Sequence, residues 1–430
     1  MSQRVLLRWA LVALLAMAPP AHGWTRPATS GWSWRADGQV LASTALAQPA
    51  DSWLNHGNQL LAVPQATWGT ELRLTARVQA GPRWQLVLRP SMAASAQAVA
   101  VQDRPTQWPR REDLRWSEAY LYWSGTDALS IACGRQNFQW GPAELLSPSN
   151  RLFREVSAFR DASYAARGRD LLRVNLSWGR QWSLVCLAEV HDAGAAPWRA
   201  GAAFRRAALA KLEYVGLGGD AYLGLTGGAR RGDARWAGAY GTAPITSGLS
   251  AYGDAAMQWR ARAWYPLATR GGGTTFAVLA GPGSDGPQLL GLVGLRYTAV
   301  AAVDARIEYL RQSAGYTRAQ LTAASLAVAQ TPTPASVERW LTPGLEVLGR
   351  HLVMVSVLTR ELGPPERLSL HGRYLHSFTD RSGVLVTDAA LDLGTAWVAY
   401  GSLAVAHGDE LTEFTRSTRV GGVAGVIWSW

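Results

Sequence analysis

Polar and apolar residues alternate with a period of two through most of this sequence. In segment 70–79, polar residues occupy every second position, and Leu, Ala or Val lies between them. The pattern resumes after Gly81-Pro82 and recurs in 172–178 and 367–374. A period of two is that of a β-strand whose two faces meet different surroundings. Alternating segments of about ten residues, separated by turn residues, are typical of a transmembrane β-barrel.

A soluble β-sandwich also alternates, so the positions of the aromatic residues help to decide between the two folds. Several of the apolar segments begin or end with an aromatic residue: Trp84, Trp178, Trp182, Tyr214 and Trp397. Aromatic residues at both ends of apolar segments form the girdles of membrane barrels at the lipid headgroups. This placement favours the barrel.

The end of the chain favours the barrel independently. Segment 419–430 reads RVGGVAGVIWSW, and Trp428 and Trp430 share one face with Val426. This ending resembles the C-terminal strand of Gram-negative outer-membrane barrels, which ends in an aromatic residue. The resemblance implies that Trp428 and Trp430 form the signal recognised by the barrel-assembly machinery.

The first 23 residues have the features of a cleaved signal peptide. Arg4 supplies a positive charge, the segment 5–18 is mostly apolar, and Ala21-His22-Gly23 provides small residues for cleavage. A membrane anchor is the alternative, but this apolar run is too short to span a bilayer. We therefore expect one barrel domain over 24–430, exported to the outer membrane.

The composition excludes several other classes of protein. The chain has 430 residues, of which 48% are apolar and 17% charged, which argues against intrinsic disorder. Its two cysteines, Cys133 and Cys186, cannot form a disulfide scaffold or a four-cysteine zinc site. A net charge of +11 is typical of nucleic-acid-binding proteins. Here, however, the positive residues are spread along the chain and Lys211 is the only lysine. We predict no nucleic-acid partner.

The alternating segments number eighteen, and parity favours an even number because both barrel termini face the periplasm. Sixteen strands is the alternative. Segment 274–280 also has strand character, and parity assigns it to a hairpin in an outer loop. The Ala-rich segment 318–330 lacks alternation and predicts a short helix in another loop. Connections of one parity are short and rich in Gly, whereas the others are long and are expected to be extracellular.

One strand end carries a distinctive motif. Gly134, Arg135, Gln136, Trp140 and Gly141 form the pattern G-R-Q-x-x-x-W-G. The pattern resembles a strand end found in several porin-like outer-membrane families, although no single characterised family matches this chain from end to end. The resemblance implies a porin-like outer-membrane β-barrel.

A long loop, 138–168, follows the motif. In porins the third long extracellular loop commonly folds into the lumen, and this loop is third in our count. We predict a pore constriction in which arginines face carboxylates: Arg151, Arg154 and Arg160 against Glu144, Glu155 and Asp161. The alternative is that these residues pair with one another and only brace the loop.

The polar faces of the strands carry charges that a barrel would direct into its lumen. The predicted lumen-wall residues are Arg73, Arg77, Arg89, Arg173, Arg306, Glu308, Arg367, His371 and Arg373. Arginine-lined pores favour anions. The alternative is a set of Arg–carboxylate ladders that stiffens the wall.

Nucleophile, metal and phosphate-loop patterns do not stand out, so we predict no enzyme activity and no cofactor. The predicted function is passive diffusion of small solutes with an anion preference. The alternative is a non-conducting barrel that serves an export, surface-polymer or adhesion assembly. The expected surroundings are outer-membrane lipid and lipopolysaccharide, whose phosphates attract excess Arg on the loops.

Overall fold

A computed structural model shows a closed barrel of eighteen antiparallel strands within the part of the chain that it describes. The structure describes residues 24–26, 31–153, 164, 166–191, 206–216, 218–231, 234–260, 262–269, 271–279, 286–299, 302–362 and 367–430. The predicted signal peptide, 1–23, lies outside them and stays a prediction.

The strands in chain order are β1 (Trp24–Arg26), β2 (Trp32–Pro49), β3 (Ala66–Ala80), β4 (Trp84–Ala98), β5 (Arg110–Thr126), β6 (Leu129–Gln136), β7 (Arg169–Trp178), β8 (Trp182–His191), β9 (Ala207–Val215), β10 (Tyr222–Arg230), β11 (Arg235–Pro244), β12 (Leu249–Trp259), β13 (Ala263–Ala268), β14 (Thr274–Leu279), β15 (Gln288–Thr298), β16 (Val303–Gln312), β17 (His351–Leu362), β18 (Leu368–Ser377), β19 (Ser382–Asp392), β20 (Trp397–His407) and β21 (Thr418–Ser429). Neighbours in sequence pair, except that β12 pairs with β15, and β2 pairs with β21 to close the ring.

The predicted strand number is therefore confirmed. β13 and β14 pair only with each other in the described structure, which agrees with the hairpin predicted around 274–280. The short β1 pairs with β2 and adds no wall strand. Short turns connect the strands at one end of the barrel, and most connections at the opposite end are long. We call these the short-turn end and the long-loop end.

The register of the strands separates a lumen face from an outer face. Large apolar side chains on the outer face are solvent-accessible in the isolated barrel, with Val293 61% and Ile307 48% exposed. Their lumen-facing neighbours Leu292 and Glu308 are almost completely buried. An exposed apolar band around a closed barrel fits a lipid bilayer, where every backbone polar group must be paired within the protein. Among the described residues, no helix is both long and apolar enough to cross a membrane.

Aromatic rings line the outer face near the short-turn end. Trp178 stacks on Trp182 with centroids 6.2 Å apart, and Trp182 contacts Tyr214 at 4.9 Å. Trp84 and Trp123 form a similar cross-strand pair at 6.1 Å. Such side chains place an amphipathic ring at the level of the headgroups. The predicted aromatic girdle is therefore present at this end.

The C-terminal tryptophans lie at the seam where the first and last wall strands meet. Trp428 stacks on Trp397 and touches Trp430. The Trp430 backbone exchanges hydrogen bonds with Gly38, at 3.1 and 3.2 Å. The Trp430 ring covers Gly38 so closely that a Cβ there would lie 2.2 Å from a ring carbon. These residues close the barrel, and their role as an assembly signal stays a prediction.

The substitution Gly38→Val is expected to destabilise the seam, because the Trp430 ring must leave its position. Overpacking of this kind costs about 1–3 kcal/mol. The midpoint of heat-modifiable migration on gels would measure the effect. Gly69→Val is the matched control, since the nearest atom to a Cβ at Gly69 lies 3.7 Å away. Equal midpoints for the two variants would contradict this account of the seam.

The loops of the long-loop end form a separate apolar cluster. Helix α1 (Arg318–Gln330) coincides with the predicted loop helix, and helix α2 (Pro334–Leu341) follows it. Both helices begin at a capping threonine, Thr317 or Thr333, whose side chain accepts an N–H bond from the first turn. Their buried residues pack with β13, β14 and Leu411. Leu54, Leu60 and Leu61, from the connection between β2 and β3, also pack against this cluster.

Candidate functional site

The loop after β6 enters the lumen and contacts the inner wall. We call its described part, 137–153, the inserted loop. The expectation that this loop folds inward agrees with its hydrogen bonds to β12, β16 and β17. Three groups of contacts hold it there.

The first contact is with Glu308 in β16. Its Oε1 accepts a hydrogen bond from the Glu144 backbone N–H at 2.6 Å, and its Oε2 accepts one from the Leu145 N–H at 2.7 Å. The Tyr252 hydroxyl donates a third bond, at 2.6 Å. Glu308 is fully buried. A buried carboxylate with several donors is strongly held, because charge-assisted hydrogen bonds are stronger than neutral ones.

The second contact is with Asp254 in β12. Its carboxylate accepts hydrogen bonds from the Ser147 hydroxyl at 2.6 Å and the Ser149 N–H at 2.7 Å. The backbone of Gly141 passes so close that a Cβ there would lie 2.5 Å from both Asp254 Oδ2 and Ser147 Oγ. Gly238 similarly leaves room for Ser149 against the wall. Glycine at these positions allows the loop to lie directly on the wall.

The third contact is made by the side chain of Glu144. Its carboxylate accepts a hydrogen bond from Ser356 Oγ at 2.9 Å. It also lies 3.0 Å from His371 Nε2 and 3.4 Å from Arg306 Nε. Burial opposes the charged form of Glu144, but the contact with His371 and the charge of Arg306 hold its pKa below the ordinary carboxyl value.

The partners of Arg151 differ from those predicted. It hydrogen bonds Gln258 of β12 and forms an ion pair with Glu346 at 2.8 Å, and it is buried. Arg151 and Glu144 therefore pair with the wall and with another loop, and do not face each other across an opening. The reason is that the wall supplies buried partners for both charges. Arg154, Glu155, Arg160 and Asp161 lie outside the described residues, so a charged constriction formed with them stays a prediction.

Apolar packing supports these polar contacts. Leu145 and Leu146 join a cluster formed by lumen-facing residues from β12 to β19. Trp140, Leu152 and Phe153 join a second cluster, formed from β7 to β11. The inserted loop therefore lies on the inner wall from β7 to β19 and leaves most of the wall of β2 to β5 uncovered, although the Asn137 N–H donates to Glu118 of β5 at 3.4 Å.

The strand-end motif positions this loop. Gly134 has a φ of +123°, and a Cβ there would lie 2.3 Å from the Ala119 carbonyl oxygen. Gln136 Nε2 donates to the Leu171 carbonyl at 3.0 Å, which joins β6 to β7. Arg135 points to the outer face and pairs with Asp170 at 2.8 Å. Trp140 and Gly141 contact the inner wall. The five residues of the motif therefore either direct the chain into the lumen or join the strands that precede the inserted loop.

The lumen-wall residues fall into paired and unpaired groups. Arg73 pairs with Glu71 at 2.8 Å, Arg89 pairs with Glu118 at 2.8 Å, and Arg373 pairs with Asp388. Arg306 pairs with Asp304 at 3.0 Å and with Glu144. Arg–carboxylate pairs are therefore present along the wall.

Three lumen-facing arginines lack such a partner among the described residues. Arg77 and Arg111 make no hydrogen bond or ion pair, and Arg173 stands 4.8 Å from the centre of the Phe138 ring. The Nε atom of Arg173 is buried without a hydrogen-bond partner. Arg367, also predicted for the wall, precedes β18 in the short-turn region and is exposed.

A cavity of about 860 Å³ borders the uncovered side of the barrel, along β2 to β5 and β20 to β21. Its lumen-facing lining residues are small or polar, with one arginine: Ser43, Gly69, Ser95, Arg111, Tyr400 and Gly425. Small side chains on this wall keep space open opposite the inserted loop.

Sequence reasoning missed Asp254, Gln258, Glu346 and Ser356 as partners of the loop. A signal existed for Asp254, which is the only charged residue in β12. A single carboxylate on the lumen face of a strand requires a partner from elsewhere. Cys133 and Cys186 are free thiols. Within the described ranges, no three His, Cys, Asp or Glu side chains are grouped as metal ligands.

Comparison with known proteins places this geometry in a structural class. No protein-family model matches the sequence, and no curated protein matches it. Acinetobacter baumannii OccAB1 has 8% identity and a TM-score of 0.54, over 92% of this chain and 96% of that chain. Pseudomonas aeruginosa OccK8 (OprE) has 10% identity and a TM-score of 0.55, over 92% and 98%. Pseudomonas aeruginosa OccD3 (OpdP) has 9% identity and a TM-score of 0.53, over 97% and 96%. The chain therefore has the fold of the 18-stranded Occ/OprD porins of Gram-negative outer membranes.

Proposed function

We propose that this protein is an outer-membrane channel through which small solutes diffuse passively, with a preference for anions. The solved structures that share its fold are outer-membrane porins, which supports the channel and its location. At the identities given above, the likeness does not extend to the solute. The preference is argued from the charges of this lumen.

The uncovered wall carries more arginines than carboxylates. On β2 to β5 the register directs six arginines and four carboxylates into the lumen: Arg35, Arg73, Arg77, Arg89, Arg111 and Arg115, with Asp37, Glu71, Asp113 and Glu118. Each carboxylate has an arginine partner. The ladders therefore leave positive charge on the side of the lumen that the inserted loop does not cover.

The observation that carries the proposal is the set of Arg77, Arg111 and Arg173, which lack a carboxylate partner among the described residues. Arg77, Arg89 and Arg173 lie within electrostatic range of the Tyr120 hydroxyl together with the Glu118 carboxylate, so arginines outnumber carboxylates in this region of the lumen. A unit charge about 4 Å from a passing ion contributes about 1 kcal/mol even in water. This corresponds to roughly fivefold in local ion concentration. An anion is therefore favoured where β3, β5 and β7 face the lumen.

Planar-bilayer recordings under a KCl gradient test the proposal. We expect the reversal potential to be shifted from zero towards the chloride equilibrium potential. In the double variant Arg77→Gln with Arg173→Gln, the reversal potential should lie closer to zero. Removal of even one such charge should lower the anion-to-cation permeability ratio by roughly twofold to fivefold. Arg180→Gln is the matched control, because Arg180 lies exposed in a short turn. A cation preference in the unchanged protein would refute the anion channel.

The same recordings address the alternative function. The inserted loop packs on the inner wall of the barrel, and the apolar loop cluster lies at the long-loop end. Folded protein with no conductance and no solute flux in liposome swelling would favour a non-conducting barrel that serves an assembly.

A further inference from the structure

Three of the seven histidines in the chain lie close together on the outer face of the barrel. They are His351, His376 and His407, at the long-loop ends of β17, β18 and β20. Leu375, which precedes His376 in β18, is buried on the lumen face. Because successive side chains of a strand point to opposite faces, His376 points outward. We call these three residues, together with Tyr309 and Tyr374, the histidine patch.

Two of the imidazoles share one tyrosine hydroxyl. Tyr374 Oη lies 2.9 Å from His407 Nε2 and 3.4 Å from His376 Nδ1. The rings of His376 and His407 stack with centroids 6.2 Å apart, and the Tyr374 ring stacks on His407 at 5.9 Å. Gly383 lies between them in register, and a Cβ there would be 2.4 Å from His407 Nε2. The absence of a side chain at Gly383 lets the rings meet.

The third imidazole extends the patch along the barrel. His351 Nδ1 lies 2.6 Å from Tyr309 Oη, and the two rings stack at 6.1 Å. His351 is the register partner of Arg311, an exposed arginine on the same outer face. Every element from β16 to β20 except β19 therefore contributes a basic or aromatic side chain to this surface.

The charged groups close to the patch in sequence are one exposed arginine and three carboxylates that have other partners in the described structure. Arg381, in the turn between β18 and β19, is exposed. Asp409 pairs with Arg318 at 3.0 Å, and the Glu410 carboxylate accepts a hydrogen bond from the Trp53 N–H. Asp380 is buried and accepts from Ser382 and Glu413. These carboxylates are all engaged elsewhere, so the patch gains positive charge when its imidazoles are protonated.

We propose that the histidine patch binds the phosphate of an anionic lipid headgroup in the outer leaflet, and that it binds more tightly in mildly acidic medium. Imidazole changes its charge near physiological pH, and a protonated imidazole donates from both nitrogens. Tyrosine rings at a membrane surface lie at headgroup level. The long-loop end of an outer-membrane barrel faces the outer leaflet. The inference rests on the outer-membrane location and is independent of ion flow.

The test measures lipid retention by the whole protein. Protein reconstituted in vesicles of equal phosphatidylglycerol and phosphatidylcholine is extracted in mild detergent at pH 5.5 and at pH 8. Native mass spectrometry then counts the bound lipids. We expect phosphatidylglycerol to be enriched over phosphatidylcholine, and more so at pH 5.5. The triple variant His351→Gln, His376→Gln and His407→Gln should lose about fivefold in enrichment for each positive charge removed.

The matched control is His191→Gln. His191 also lies at the long-loop end of a strand, but it is 3.1 Å from the Asp170 carboxylate, which offsets its charge. Heat-modifiable migration reports whether each variant folds, and His407→Gln alone replaces the triple variant if that variant does not. Equal retention of the two lipids, or equal retention by the triple variant and the unchanged protein, would overturn the proposal. Release of the lipid by millimolar inorganic phosphate would also overturn it, because the patch would then be a site for soluble phosphate.

Discussion

Replacing Glu308 with alanine is expected to release the inserted loop from the wall and to raise the single-channel conductance several-fold. Glu308 accepts the N–H groups of Glu144 and Leu145 and the Tyr252 hydroxyl. Alanine leaves both N–H groups without an acceptor in a buried position. Each such group costs about 1–3 kcal/mol. Even about 2 kcal/mol in total changes the ratio of docked to released loop by roughly thirtyfold.

The comparison with two further variants separates loop release from general damage to the barrel. Tyr252→Phe removes one donor and leaves the two backbone bonds, so its effect should be smaller. Glu71→Ala also removes a lumen carboxylate, but Glu71 pairs with Arg73 and makes no described contact with the inserted loop. We expect wild-type-like open-channel noise for Glu71→Ala and large, noisy openings for Glu308→Ala. Identical conductance in Glu308→Ala and the unchanged protein, with both folded, would show that Glu308 does not hold the loop.

The wall of the barrel is predictable from the sequence because strand signals are local. Alternation in a segment such as 70–79 predicts both the strand and the face of the strand on which Arg73 and Arg77 lie. The helix at 318–330 is equally local, since it follows from an Ala-rich run without alternation. Parity then adds a global constraint, because a barrel with both termini on one side needs an even number of strands. This is why segment 274–280 could be assigned to a loop hairpin.

The partners of the inserted loop are not predictable in the same way. Ser356 meets Glu144 across 212 positions of sequence, and Ser147 meets Asp254 across 107. No periodicity links residues at such distances. The sequence indicated that Arg151 and Glu144 are charged loop residues, and physical reasoning then paired them with charges nearby in sequence. The folded barrel instead offers buried acceptors and donors from distant strands and from another loop, which satisfy these charges.

The contact between Glu144 and His371 makes loop docking depend on pH. Burial opposes ionisation of Glu144, but His371, Ser356 and Arg306 together hold its pKa below the ordinary carboxyl value. A carboxyl whose pKa is lower in the docked state than in the released state stabilises docking above the ordinary value of about 4.3. This stabilisation is lost as pH falls from there through the lowered pKa. We therefore expect steady currents at pH 7 and increasing loop noise below about pH 4.

The variant Glu144→Gln should remove this dependence, because the amide does not titrate. Its loop should be less firmly docked at pH 7, since each lost charge-assisted hydrogen bond contributes about 1.5–3 kcal/mol. Open-channel noise measured from pH 7 to pH 3 should then change little in this variant while it rises in the unchanged protein. Glu338→Gln is the control, since Glu338 is exposed on helix α2, away from the lumen wall. If the noise of Glu144→Gln rises in acid as steeply as that of the unchanged protein, another group controls docking, and the contact of Glu144 with His371 serves only to brace the loop.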